Sequence, residues 1–341
     1  MVSARPPLRL LFALALGAAA AGVAAPKPAV AAANLPVWPA APDEPRIAFV
    51  GEVRGPQDIG VKPSAWRTLA RWLTGDQGEN LNLRKPFAVA LDEGGRLCIA
   101  DTETGVVSCL DLSRRTWRRF AGVGSTRFVS PVAVARWHGT MYVADSTLGK
   151  VFAFNDRGEP VAEIGSPLQR PVGLAIAGDR LCVADAQVHA ILVFGLDGRF
   201  LSQIGRRGTG PGEFNFPTGV ITDHRGRLLV SDTMNCRVQI FDASGAFVAQ
   251  FGSNGDTSGH FARPKGVAVD AADDIYVVDA LFDNFQIFDP AGRLLLNVGQ
   301  GGGGPGEFGL PAGIAIGADN RIYVADPFNH RVQIFRYLGQ P

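Results

Sequence analysis

The chain has 341 residues, 33 Lys and Arg against 32 Asp and Glu, 46% hydrophobic residues and only 19% charged ones. A formal charge of +1 supplies no net pull toward nucleic acid or anionic lipid, and so apolar a composition with so little charge excludes general disorder. The 42 Gly and 23 Pro point to a chain rich in turns.

In chain order, the first element reads as a leader. Arg5 and Arg9 precede an apolar run from Leu10 to Ala21, and small residues follow. That order of basic, apolar and small residues predicts a secretory signal peptide over residues 1–33, cleaved between about 24 and 33. The run falls short of the roughly 20 apolar residues a membrane span needs. The mature protein is therefore expected in the periplasm or secreted, with residues 34–45 as a linker.

Residues 46–51, Arg-Ile-Ala-Phe-Val-Gly, read as a lone strand, and an insert over 52–85 follows it. Inside the insert Ser64 is a candidate N-cap and Gly75 a candidate stop, with Trp66, Leu69, Ala70 and Leu73 on one helical face. A helix of about ten residues does not hold alone. It is expected to dock, either as a lid over its own fold or, through Trp66, Leu69 and Trp72, onto a partner or as a peripheral contact with a membrane surface.

From Pro86 to Phe335 one pattern is written six times. It begins with Pro and an apolar run, passes a turn to a strand ending in Asp, and continues to a strand ending in an aromatic residue or Leu. The copy Pro264 to Asp270, Ile275 to Asp279 and Phe285 to Phe288 is the clearest. The strand-ending residues are Asp101, Asp145, Asp185, Asp232, Asp279 and Asp326, at successive spacings of 44, 40, 47, 47 and 47 residues. A further apolar run closes the unit, as in Ala246 to Gly252, Phe200 to Gly205 and Leu294 to Gly299. Four short strands per ~45 residues describe the blade of an all-β, six-bladed β-propeller with four-stranded antiparallel blades. The sixth copy lacks its fourth strand, and residues 46–51 are expected to supply it, closing a single domain over 46–341. On blade one, Arg114, Arg115, Arg118 and Arg119 fall on the outer strand and read as protection of a sheet edge.

The motifs Pro-Lys-Gly-Val-Ala-Val-Asp (264–270), Ile-Tyr-Val-Ala-Asp (322–326), Asn-His-Arg-Val-Gln-Ile-Phe (329–335) and Gly-Pro-Gly-Glu-Phe (210–214 and 304–308) resemble the NHL-repeat family of six-bladed propellers. The resemblance covers residues 86–335 and is weakest in blade one. It implies an exported bacterial type, often encoded beside multihaem cytochromes, and hence a protein partner in an extracytoplasmic assembly.

The six aspartates read as structural, because a carboxylate before a turn accepts backbone N–H bonds and a catalytic site would not be copied six times. Asn235 with Arg237, and Asn329 with Arg331, are placed to add ion pairs in blades four and six. The Gly-rich loops from Gly205 and Gly299 precede no helix and no Gly-Lys-Ser/Thr, so a phosphate cradle is a weak reading. Strand connectivity puts Arg206, Arg207, His260, Phe282, Phe328 and His330 on one face, the candidate surface for a protein partner. Register opposes Cys98 to Cys109, and an exported chain allows their disulfide, although Cys182 holds the same repeat position as Cys98 with no partner. The five histidines form no local metal-spacing motif. No cofactor, no nucleic acid and a monomer are expected, and the leading function is a rigid protein-binding platform. The alternative is a propeller hydrolase or lyase, lactonase-like or amidating-lyase-like, with calcium or zinc held in the channel by ligands from separate blades.

Overall fold

The computed structural model describes residues 35–61 and 80–339. The expected leader and the insert helix bearing Trp66, Leu69 and Trp72 lie outside them. Six antiparallel sheets carry the repeat. Blade one is Pro86–Leu91, Leu97–Asp101, Val106–Asp111 and Thr116–Phe120. Blade five, typical of the later copies, is Pro264–Val269, Ile275–Asp279, Asn284–Phe288 and Leu294–Val298. Helical structure among the described residues is limited to three 3-10 turns, Pro56–Ile59, Thr233–Asn235 and Pro327–Asn329.

The N-terminal strand closes the ring. Ile47–Val53 pairs antiparallel with Arg331–Tyr337, with Ile47 opposite Tyr337 and Val53 opposite Val332. Opening the ring must therefore break a sheet. Two details differ from the sequence reading. The closing strand runs to Val53 because a bulge between Phe49 and Gly51 resets its register. It is also not the outermost strand at its start: Val37–Trp38 pairs with Ala48 and Ile47, and Trp38 packs on the Phe335 ring at 5.7 Å. On blade one, Arg114 and Arg115 lie in the turn before the outer strand Thr116–Phe120, which leaves Arg118 and Arg119 on it.

There is no single core. Apolar side chains cluster between each pair of neighbouring blades, as between blades two and three, where Tyr142 and Val151 meet Leu181 and Phe194. Adjacent blades must then come close at the axis, which explains the Gly two places after the Pro. A Cβ at Gly219 would stand 2.1 Å from the Lys265 carbonyl oxygen of the next blade, and one at Gly266 would stand 2.5 Å from that of Ala312. Only a residue without a side chain admits a neighbour's backbone so closely.

In blade one, Cys98 faces Cys109 across the second and third strands, and the two are joined by a disulfide. Cys182 is buried and unbonded.

Candidate functional site

The channel has two different ends. The turns between second and third strands, and the connections from each blade to the next, form the upper end. The turns between first and second strands ring the lower end.

The six strand-ending aspartates sit at the upper end, at most 2% exposed. In blades one, two, three and five each carboxylate accepts backbone N–H groups from two segments. Asp145, for example, takes Val129 and Ser130 on one oxygen and Thr147 and Leu148 on the other. In blades four and six, side chains replace most of these donors. Asp326 accepts Gly309 N–H at 2.8 Å, the Arg331 guanidinium at 2.8 Å and the Asn329 amide. Arg331 extends further, pairing with Glu52 on the closing strand at 2.7 Å and donating to the Gly304 and Glu307 carbonyls. Burial alone would raise the Glu52 carboxyl, but Arg54 and Arg331 hold it below its usual range. Arg237 grips Asp232 and the Gly210 and Glu213 carbonyls in the same way. The Gly-rich loops thus turn carbonyl oxygens inward onto arginine and are part of the frame.

The residue four places after each aspartate adopts a left-handed backbone. Blades one and two use Gly105 and Gly149 there. Blades three to six use His189, Cys236, Asp283 and His330, and each of these side chains clips its blade to the next. His189 Nδ1 accepts the Phe216 N–H at 3.1 Å, Cys236 Sγ donates to the Ala262 carbonyl, Asp283 accepts the Leu310 N–H and His330 bonds the Arg84 carbonyl. Burial and the nearby Arg207 hold the His189 ring below its ordinary pKa, as an acceptor role requires.

The candidate partner residues therefore divide. Arg206 is paired with Glu213 at 2.9 Å, His260 bonds the Thr257 hydroxyl, and His330 is a clip. Phe282 is half-buried, while Arg207 is exposed and Phe328 is 60% exposed. Sequence reasoning missed the neighbours of Phe328. Two places after the aspartate, blades four, five and six carry Met234, Leu281 and Phe328, exposed by 50%, 50% and 60%. Blades one to three carry Glu103, Thr147 and Gln187 there, all exposed and polar. Phe216 and Leu310, each 37% exposed, lie in the connections leading into blades four and six. The signal was available as one column of the aligned repeats.

Inside the channel two cavities meet end to end, about 290 Å³ above and about 360 Å³ below. Val89, Val134, Leu174, Val220, Val267 and Ile314 line both. Each is the third residue after its blade's Pro, so the repeat builds an aliphatic ring that divides the channel. The upper cavity is walled by Phe87, Val172, Phe216 and small residues, with Arg170 and Lys265 among its lining and no carboxylate. Among the described residues no three His, Cys, Asp or Glu side chains gather as a metal-holding group.

At the lower end, charges are matched. Arg96 and Arg136 share Asp92 and Asp156, joining blades one and two, with Arg136 to Asp156 at 2.6 Å. Burial alone would raise Asp156, and the two guanidinium groups hold it low. His224 and Arg225 both reach Asp273, and Arg227 reaches Asp223.

With this geometry in place, the comparisons agree on the architecture. A family profile described as a 6-bladed beta-propeller matches residues 166–225 and 218–285, and the NHL repeat profile matches residues 308–335. The chain is a six-bladed propeller whose last blade matches the NHL repeat. No curated protein matches it in sequence. Among solved structures, virginiamycin B lyase from Staphylococcus aureus is similar with a TM-score of 0.54 at 14% identity, over 76% of this chain and 98% of that one. Hydrazine synthase of Kuenenia stuttgartiensis aligns with a TM-score of 0.56 at 15% identity, over 78% of this chain and 99% of that one. An auxiliary nutrient binding protein from Bacteroides thetaiotaomicron aligns with a TM-score of 0.60 at 11% identity, over 76% of this chain and 71% of that one. At such identities the likeness is one of fold, which lyase, synthase and binding protein share.

Proposed function

We propose that this NHL-type propeller is an exported, rigid platform that presents the upper face of blades four to six to a protein partner. One observation carries the reading: an exposed apolar arc of Met234, Leu281 and Phe328 on one half of a face whose other half is polar at the same repeat position. Large apolar side chains left exposed at one repeat position of neighbouring blades mark an interaction site. Lys85, whose ammonium lies 5.5 Å from the centre of the Phe328 ring, favours a partner with acidic groups around an apolar centre. The disulfide in blade one suits an oxidising compartment. An extracytoplasmic, cytochrome-associated assembly is the setting the family resemblance implies.

Co-purification from the native host tests this, comparing the wild type with a Met234→Ser, Leu281→Ser, Phe328→Ser variant of equal thermal stability. The expected result is a stoichiometric partner lost from the triple variant. Retention of that partner by the variant would overturn the reading. Stoichiometric calcium or zinc in the purified mature protein would favour the hydrolase or lyase instead.

A further inference from the structure

The upper cavity carries charge without a counter-charge. Lys265 lies on the innermost strand of blade five, half-buried at the channel mouth, with its ammonium 5.0 Å from the centre of the Phe87 ring. Among the described residues no carboxylate pairs with Lys265, Arg170 or Arg263. Burial, then the Arg263 and Lys85 cations, push the Lys265 ammonium below its ordinary pKa. Like charges brought together in a partly desolvated mouth raise the energy of the empty site. An anion entering it would supply the missing partner.

The rest of the cavity limits what that anion can be. Below Lys265 and Arg170 the walls are Phe87, Val172 and Ala88, and the floor is the aliphatic ring of Val89, Val134, Leu174, Val220, Val267 and Ile314. Such a pocket, apolar with a few convergent polar groups at one end, is the usual form of a small-ligand site. We infer that the upper channel binds a small organic carboxylate, its anionic head at Lys265 and its apolar body resting on the aliphatic ring. The site is separate from the Met234–Leu281–Phe328 arc and does not depend on the protein-binding reading.

Calorimetric titration of the full mature chain with 4-phenylbutyrate tests the inference. Saturable one-to-one binding is expected for the carboxylate, with the uncharged 4-phenylbutanol and the cationic 4-phenylbutylamine at least tenfold weaker. Inorganic phosphate should fail to compete, because it lacks the apolar body. Lys265→Gln should weaken phenylbutyrate at least tenfold, and Val172→Trp, which fills the cavity while keeping the charges, should abolish binding. Thermal melts of both variants establish that they fold. The Met234, Leu281 and Phe328 triple variant should bind phenylbutyrate like the wild type, which separates this site from the partner surface. No saturable binding by the wild type, equal binding of the amine or alcohol, competition by phosphate, or Lys265→Gln within twofold of the wild type would each overturn the inference.

Discussion

The two ends of the channel are built from the same six innermost strands, yet they treat charge in opposite ways. At the lower end Arg96, Arg136, His224, Arg225 and Arg227 all face carboxylates, and the charges serve to hold neighbouring blades together. At the upper end Arg237 and Arg331 are paired and buried in the frame and Arg206 is paired with Glu213 at the surface, while among the described residues Lys85, Arg170, Arg263 and Lys265 have no carboxylate partner. A cation already neutralised within the fold has little left to offer a ligand. On the proposed reading, pairing more than position separates frame from working surface, which then lies above the aliphatic ring.

If that distinction is right, paired charges at either end should behave like core. The largest loss is expected for Arg331→Ala, which leaves the fully buried Asp326 without its cation and Glu52 of the closing strand with Arg54 alone. Breaking a buried pair from one side costs about 3–5 kcal/mol, read as a lower denaturation midpoint. A change below 1 kcal/mol would sever the link between pairing and the frame. At the lower end Arg136→Met should cost less, about 1–3 kcal/mol, because Arg96 still reaches both Asp92 and Asp156.

The unpaired cations should show the opposite sign. Lys265→Met is expected to leave stability unchanged or raise it by up to about 1 kcal/mol, since it removes a desolvated, repelled charge. The lysine's pKa is lowered in the folded state. Its penalty is therefore present at neutral pH and fades as the pH climbs through the folded value toward 10.5. The gap between variant and wild type should narrow in alkali. A clear loss of stability in Lys265→Met would show that the residue belongs to the frame.

The smallest effect tests an exception to the matched charges of the lower end, Asp274, which among the described residues faces no cation. Burial, with Asp270 and Asp289 nearby, pushes the Asp274 carboxyl up to about 6. A raised carboxylate pKa destabilises the fold increasingly as the pH rises from about 4 to about 6, and by a constant amount above that. Asp274→Asn should therefore melt slightly higher than the wild type at pH 7.5, by up to about 1 kcal/mol after solvent screening. The difference should vanish near pH 4. Equal melts at both pH values would remove this exception.

The ring, its blade count and its latch were legible because each blade repeats the same physical demands: Pro before the innermost strand, small residues where blades meet, a carboxylate before the turn. The bulge that extends the latch to Val53 was not, since register depends on pairing with residues nearly three hundred positions away. The site was legible only in part. Phe328 stood out as an aromatic in a loop, whereas Met234 and Leu281 emerge only when the repeats are aligned column by column, and their exposure gives that column its meaning. Lys265 was hidden in the first strand's apolar run, where nothing in the sequence says that its ammonium lies against the Phe87 ring of blade one. His330, chosen as a surface residue, is a clip because its backbone geometry aims the ring at the next blade.

The claim that the upper end is the working end is tested most directly by photo-crosslinking in the native host. A photoreactive residue is placed at Leu281 on the upper face and, in a second strain, at Asp179 on the lower face. The account predicts a discrete protein adduct from position 281 and none from 179. An adduct from position 179, with none from 281, would contradict it.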